Sequence, residues 1–150
     1  MYDVFENDAS AAKNDEVSKY KTGDVFFLAG GTYYNATSPG ADAGRIYRGY
    51  VFVGGCDQSK GAVTEWPAYP SATPTIFSGD LDENGGPSAG DLRNLIHVRQ
   101  ARNDDAENLA HICRLIGIDF TCSYSPEGST NASGAVYCTQ GAIELQYCNI

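Results

Sequence analysis

Short, apolar, β-rich runs recur along this chain at nearly even intervals. They occupy residues 25–28, 50–53, 75–77, 95–98, 115–118 and 135–137. Successive centres are about 26, 25, 20, 20 and 20 residues apart. A solenoid repeat takes roughly 20–45 residues, and few other folds place strands so regularly. The spacing therefore predicts a stacked repeat in which each run contributes one coil.

The segments between the runs are rich in turn residues. Pairs such as Gly30-Gly31 and Gly54-Gly55 interrupt the apolar pattern, and the intervals are too short to hold a crossover helix each time, which argues against a doubly wound α/β sheet. Residues 25–28 and 50–53 are apolar at consecutive positions, as in parallel strands covered on both faces. A sandwich of antiparallel hairpins remains an alternative, because regular spacing does not fix strand direction.

The fold class predicted here is all-β, a parallel β-helix with an N-terminal cap and about five coils. The cap is assigned to residues 1–22, with a short helix over 8–20, and the coils to residues 23–150 as one domain with the cap. Residues 142–150 alternate as a strand and no capping segment follows them. An unprotected last strand indicates either a truncated C-terminal end or end-to-end self-association.

Four segments carry a resemblance to a known family: GDVFFLAGGTYY at 23–34, VFVGG at 51–55, TIFSGD at 75–80 and GAVYC at 134–138. In this order they resemble the pectin-lyase-like superfamily, in particular bacterial surface proteins with polymorphic outer-membrane-protein-type repeats. The resemblance covers roughly residues 20–150. It implies a right-handed coil, secretion or surface display, and a role as an adhesin, a passenger or a polysaccharide-active protein. No Arg-centred motif in the chain matches the base of the pectate-lyase members.

The chain carries a net charge of −9 and only ten Lys and Arg residues. Nucleic-acid binding needs a basic surface, so that class of partner is excluded. No run approaches the roughly 18 apolar residues of a membrane span, so membrane insertion is not expected. The acidic surface suits an exported protein, a neutral glycan partner or a bound cation, although solubility alone is an equal explanation.

One acidic segment matches the twelve-residue calcium loop. Asp80, Asp82 and Asn84 occupy its first, third and fifth positions, the Gly86 carbonyl its seventh, and Asp91 its twelfth. Calcium takes six to eight hard oxygen ligands, which alternate side chains on a tight loop supply. The alternative is that Asp80 and Asp82 accept hydrogen bonds from backbone N–H groups of a turn.

Other candidate residues have structural explanations of their own. Trp66 and Tyr69 are glycan-contact candidates, because aromatic rings stack on sugars, although an anchor for its loop is the first explanation for Trp66. His97 and His111 are interpreted as structural. The five Cys residues contain no zinc spacing, and at least three are expected to be buried thiols rather than disulfides.

The function expected from these observations is that of a non-catalytic, secreted or cell-surface β-helix segment. It would act as an adhesin, a scaffold or a glycan-contacting protein, with a polysaccharide or a cell-surface glycan as its partner. One alternative is a polysaccharide lyase or glycoside hydrolase whose active face lies mostly outside this segment. Another is a calcium-dependent binding module.

Overall fold

The computed structural model describes residues 20–34, 44–46, 48–57, 59, 67, 71–99, 112–125 and 134–150, and this part of the chain contains strands and no α-helix. The strands are β1 Val25–Ala29, β2 Gly31–Tyr33, β3 Arg45–Ile46, β4 Val51–Cys56, β5 Thr75–Ser78, β6 Ile96–Arg99, β7 Cys113–Ile116, β8 Ile118–Thr121, β9 Val136–Gln140 and β10 Ile143–Gln146. The helix predicted at 8–20 and the cap at 1–22 lie almost wholly outside the described residues, which begin at residue 20.

The strands form three sheets, and consecutive strands lie in different sheets. Sheet 1 has the order β1-β4-β7-β10, sheet 2 the order β2-β5-β8, and sheet 3 the order β3-β6-β9. All pairings between these strands are parallel. The all-β class and the parallel pairing are thus confirmed, and the alternative of antiparallel hairpins is wrong. We call three consecutive strands, one from each sheet, a round.

The repeat is a round of three strands, so the prediction of one coil per apolar run is wrong. In place of about five coils, the described strands make three rounds, and β10 begins a fourth. Val25 pairs with Val51, as the prediction required, but Val51 then pairs with Arg114. The even spacing did not reveal the repeat length. Equivalent strands of adjacent rounds, such as β1 and β4, and neighbouring strands of one round, such as β4 and β5, are separated by similar numbers of residues.

In-register side chains form buried columns across the rounds. In sheet 1, Phe26 pairs with Phe52 and Phe52 with Leu115. The rings of Phe26 and Phe52 stack with centroids 5.1 Å apart. In sheet 2, Phe77 pairs with Phe120, and their rings meet edge to face at 5.9 Å. Phe52, Phe77, Leu115 and Phe120 belong to one cluster of buried side chains, against which Phe26 packs. Burial of large apolar side chains is therefore the main stabilising contribution to the stack.

A buried hydroxyl joins the first two rounds at one corner. The Thr75 Oγ1 atom donates to the Ala29 carbonyl at 2.9 Å and accepts from the Gly55 N–H at 2.8 Å. Thr75 is fully buried, so the Gly55 N–H would lose this partner if the hydroxyl were removed, whereas the Ala29 carbonyl also accepts from the Tyr33 hydroxyl at 2.9 Å. The hydrogen bonds of Thr75 hold the start of β5 against the ends of β1 and β4. The connection to β6 begins where β5 ends.

Candidate metal centre

The connection from β5 to β6 is a long loop, residues 79–95, which we call the acidic loop. Its second half is anchored from inside, because Leu92 and Leu95 are buried in the hydrophobic cluster. The Leu92 N–H also donates to the Gly79 carbonyl at 3.0 Å, which brings the two ends of the loop together. Asp91 directly precedes Leu92 and is drawn into the interior with it, with only 1% of its surface exposed.

The two ends of the acidic loop bring three carboxylates together. One oxygen each of Asp80, Asp82 and Asp91 lies within 4.8 Å of the others. We call these residues the acidic triad. Asp80 is half-buried, Asp82 exposed and Asp91 buried, so the triad extends from the surface into the interior. Three of the five residues proposed from the calcium-loop spacing therefore meet in space.

The other two proposed ligands lie on the intervening turn. The Asn84 side chain donates from Nδ2 to Asp82 Oδ2 at 3.1 Å and accepts from the Gly86 N–H at 2.8 Å. These bonds order the turn between the two arms of the loop. A ligand role for Asn84, or for the Gly86 carbonyl, stays a prediction.

Asp80 and Asp82 also accept hydrogen bonds from backbone N–H groups, which the alternative interpretation required. The N–H groups of Asn84 and Gly85 donate to the two oxygens of Asp80, each at 3.0 Å. Asp82 Oδ1 accepts from the Asn84 N–H at 3.4 Å. Turn capping and cation binding are compatible, because a carboxylate oxygen offers more than one lone pair.

Asp91 differs from the other two members of the triad. Its Oδ2 accepts from the Ser88 N–H at 2.7 Å. Its Oδ1 is buried and receives no hydrogen bond from the described part of the chain. Within that part, no Lys or Arg forms an ion pair with any member of the triad. A buried carboxylate oxygen without a partner is unfavourable, and turn capping by Asp80 and Asp82 does not account for it.

Hydrogen bonds, burial and charges at the triad shift the pKa values of Asp82 and of the neighbouring Cys122 thiol. The Ser88 hydroxyl donates to Asp82 Oδ2 at 2.6 Å and holds the pKa of that carboxyl below its ordinary value. Burial raises the pKa of the Cys122 thiol, and the negative charges of Asp80, Asp91 and Asp82 raise it further. Cys122 follows β8, so the triad lies beside the next round of the stack.

Sequence reasoning missed three residues at this centre. Ser88 occupies the ninth position of the calcium-loop pattern, a frequent ligand position, and that signal was present in the sequence. Gly90 lies against Asp82, since a Cβ atom on Gly90 would be 2.5 Å from Asp82 Oδ2. Cys122 carries no sequence signal, because only the stacking of β8 on β5 brings it near the loop.

The remaining predicted residues lie elsewhere or outside the described part. Trp66, Tyr69 and His111 are not among the described residues. His97 is buried on β6, where its Nε2 is 2.9 Å from the Thr139 hydroxyl and its ring lies against Tyr137. These contacts agree with a structural role for His97.

All five cysteines are free thiols. Cys56 and Cys113 are buried and the other three are half-buried, so fewer are fully buried than the three expected. Burial, and next the nearby Cys138, raise the pKa of Cys113 to about 12. The Cys113 thiol therefore stays protonated at neutral pH and is a poor nucleophile.

No protein-family model, curated protein or solved structure matches the chain. The resemblance to the pectin-lyase-like superfamily therefore stays a prediction. Among the described residues there is also no helix long and apolar enough to cross a membrane.

Proposed function

We propose that this chain is a right-handed parallel β-helix segment that binds one calcium ion at the acidic triad and acts as a non-catalytic scaffold. The β-helix is supported by the regular rotation of consecutive strands through three parallel sheets. The right hand is supported by a general rule, since crossover connections between parallel strands of one sheet are almost always right-handed. An experimental structure with left-handed connections would overturn this part of the proposal.

The observation that carries the cation is the buried Oδ1 atom of Asp91, which receives no hydrogen bond from the described residues. A cation among Asp80, Asp82 and Asp91 would give this oxygen a partner and offset the mutual repulsion of three carboxylates. It would use lone pairs that the hydrogen bonds of the loop leave available.

The ligand chemistry favours calcium over other common metals. The triad oxygens lie within 4.8 Å of one another, close enough for one cation to reach all three, and calcium accepts carboxylate, carbonyl and water oxygens in a flexible geometry. Magnesium requires shorter bonds in near-ideal octahedral geometry, and zinc favours nitrogen and sulfur ligands. Because Asp82 is exposed, water can complete a calcium shell on the outer side.

Calorimetric titration of the EGTA-treated chain with calcium chloride tests the site directly. We expect one ion per chain and a melting temperature that rises with calcium concentration, because a ligand that binds only the folded state stabilises it. Asp91→Asn keeps the shape but removes the charge, so heat and stabilisation should both disappear. Asp24→Asn removes a charge in the turn before β1, where Asp24 accepts from the Lys21 N–H, and should leave both unchanged.

The Asp91→Asn variant also separates a metal site from a purely structural carboxylate. In EGTA this variant should be at least as stable as the parent chain, because it lacks a buried, half-satisfied charge. No binding heat in the parent chain at millimolar calcium would overturn the proposed site, and a large loss of stability of Asp91→Asn in EGTA would then assign the carboxylate a structural role.

The biological setting that we propose is the cell surface or the extracellular medium. Calcium sites of extracellular modules have dissociation constants of about 10⁻⁴–10⁻³ M, and we expect this site to fall in that range. The outer faces of the parallel sheets offer a surface for a polysaccharide or a cell-surface glycan. A panel of acidic and neutral polysaccharides, assayed for binding and for cleavage with calcium present, tests this role. Cleavage of any of them would overturn the non-catalytic part and favour a lyase or hydrolase.

A further inference from the structure

The acidic loop belongs to the second round but is hydrogen-bonded to the third. The Gly79 N–H donates to the Thr121 carbonyl at 2.9 Å, and the Tyr124 N–H donates to the Leu92 carbonyl at 3.0 Å. Gly79 directly precedes Asp80, and Leu92 directly follows Asp91. Asp80 and Asp91, at the two ends of the triad, are therefore sequence neighbours of the residues that make these two hydrogen bonds. Asn94 and Leu95 make further hydrogen bonds to Gly134 and Ala135 of the third round.

The segment of the third round that makes the hydrogen bonds with Gly79 and Leu92 contains an unfavourable backbone conformation. Cys122 has a φ of +54°, in the left-handed region that side-chain-bearing residues rarely adopt. There is also no room for a Cβ atom on Gly79, because it would collide with the Cys122 carbonyl oxygen. Residues 121–124 are thus pressed against the start of the acidic loop in a conformation that needs support from their surroundings.

We propose that calcium at the acidic triad acts as a clamp between the second and third rounds and sets the rigidity of residues 121–124. The clamp rests on the proposed calcium site and adds to it a regulated contact within the stack. An ion held by Asp80 and Asp91 closes a ring that continues through Gly79, Thr121, Tyr124 and Leu92. Without the ion, repulsion between the carboxylates opposes the approach of the two ends of the loop. With the ion, that approach is favoured, and the hydrogen bonds from Gly79 to Thr121 and from Tyr124 to Leu92 are held.

Hydrogen exchange of the whole chain, in EGTA and in calcium chloride, tests the clamp. At calcium tenfold above its dissociation constant, a local opening that releases the ion should become about tenfold rarer. We therefore expect the amides of Gly79 and Tyr124 to exchange about tenfold more slowly in calcium. The exposed Gly23 amide, which donates to the Gly49 carbonyl at 2.8 Å, serves as the internal control, because a local opening there leaves the ion bound and should not depend on calcium.

The result separates failure of the clamp from failure of the site. If titration shows calcium binding while Gly79 and Tyr124 exchange at the same rate with and without the ion, the clamp is wrong and the calcium site stands. If Gly23 gains as much protection as Tyr124, the calcium effect is not confined to openings that release the ion, and the clamp is again wrong. Absence of binding heat removes both proposals.

Two variants keep the test interpretable. In Asp91→Asn, the Gly79 and Tyr124 amides should each exchange at the same rate in EGTA and in calcium chloride. Gly90→Ala retains all three carboxylates but displaces Asp82, because the added Cβ atom would lie 2.5 Å from Asp82 Oδ2. It should therefore require more calcium to reach the same protection of Tyr124. Equal calcium dependence in Gly90→Ala and the parent chain would contradict a clamp that acts through the triad.

Discussion

The buried columns and the acidic loop are stabilised in opposite ways. In a column, each side chain has in-register neighbours in adjacent rounds, as Phe52 has in Phe26 and Leu115. In the acidic loop, the three carboxylates gain little from one another, and their positions depend on turn hydrogen bonds and on the burial of Leu92. The columns therefore supply stability that many apolar sequences would give. The acidic loop holds three carboxylates in a specific arrangement, and their mutual repulsion lowers the stability of the fold. Such a combination is typical of a binding site on a rigid scaffold.

The largest effect should come from a column. Phe52 is 1% exposed and stacks on Phe26, so Phe52→Ala should lower the free energy of unfolding by about 3–5 kcal/mol through lost burial and the cavity left behind. Phe27→Ala is the matched control, because Phe27 is 40% exposed. Urea unfolding measures both. Similar losses in the two variants would show that the columns do not carry the stability of the stack.

The next effect lies at the boundary between column and loop. Gly79→Ala should destabilise the fold by about 1–3 kcal/mol, because the new methyl group must displace the Cys122 backbone or Leu95. Gly134→Ala is the control, since the nearest atom to its Cβ position is the Val136 oxygen at 3.8 Å. Thermal and urea unfolding in EGTA measure both variants. If Gly134→Ala lowered the free energy of unfolding as much as Gly79→Ala, close packing of the acidic loop on the third round would not explain the loss in Gly79→Ala.

A smaller effect on stability, but a clear one on binding, is expected inside the loop. Gly90→Ala should weaken calcium binding about 10–100-fold, as disturbed ligand positioning commonly does, because Asp82 must move away from the new methyl group. Gly134→Ala, outside the acidic loop, is the control, because the nearest atom to its Cβ position is the Val136 oxygen at 3.8 Å. It should bind calcium as the parent chain does. Calorimetry on the pair decides, and equal affinities would place the ion elsewhere.

The strands that are long and apolar were predictable from the sequence, whereas the short ones were not. The runs at 25–28, 50–53, 75–77, 95–98 and 135–137 overlap β1, β4, β5, β6 and β9. β2 and β3 were missed because three- and two-residue strands carry too few side chains for a pattern. The run at 115–118 was predicted as one strand, but Gly117 has a φ of +63° and turns the chain from sheet 1 into sheet 2. Positive φ at a glycine inside an apolar run has no periodic signature.

At the site, the calcium-loop spacing predicted the convergence of Asp80, Asp82 and Asp91. It could not predict that Asp91 is buried with one oxygen unpartnered by described residues, since this depends on how Leu92 and Leu95 pack between the sheets. The link to Tyr124 was equally hidden, because contact between the second and third rounds is set by strand register. Local spacing thus identifies candidate ligands, whereas their burial is a property of the whole stack.

The smallest effect should come from the outward face of sheet 1, opposite in character to both the columns and the loop. There Arg114 Nε donates to Glu144 Oε2 at 2.7 Å across β7 and β10, and both side chains are substantially exposed. Arg114, and next Gln146, lower the pKa of the Glu144 carboxyl. A carboxyl with a lowered folded-state pKa contributes stability above its unfolded-state pKa, and that contribution disappears as the pH falls through the folded-state pKa.

Glu144→Gln should therefore lower the urea midpoint slightly at pH 7, and the difference from the parent chain should vanish in acid. Solvent screening keeps the effect of such an exposed pair small, so added salt should reduce it further. Calcium should not alter it, because Glu144 is not a member of the acidic triad. A Glu144→Gln variant whose deficit persisted at low pH would show that the side chain acts through packing instead of charge. In that case the outward face of sheet 1 would resemble the buried columns more than its exposure indicates.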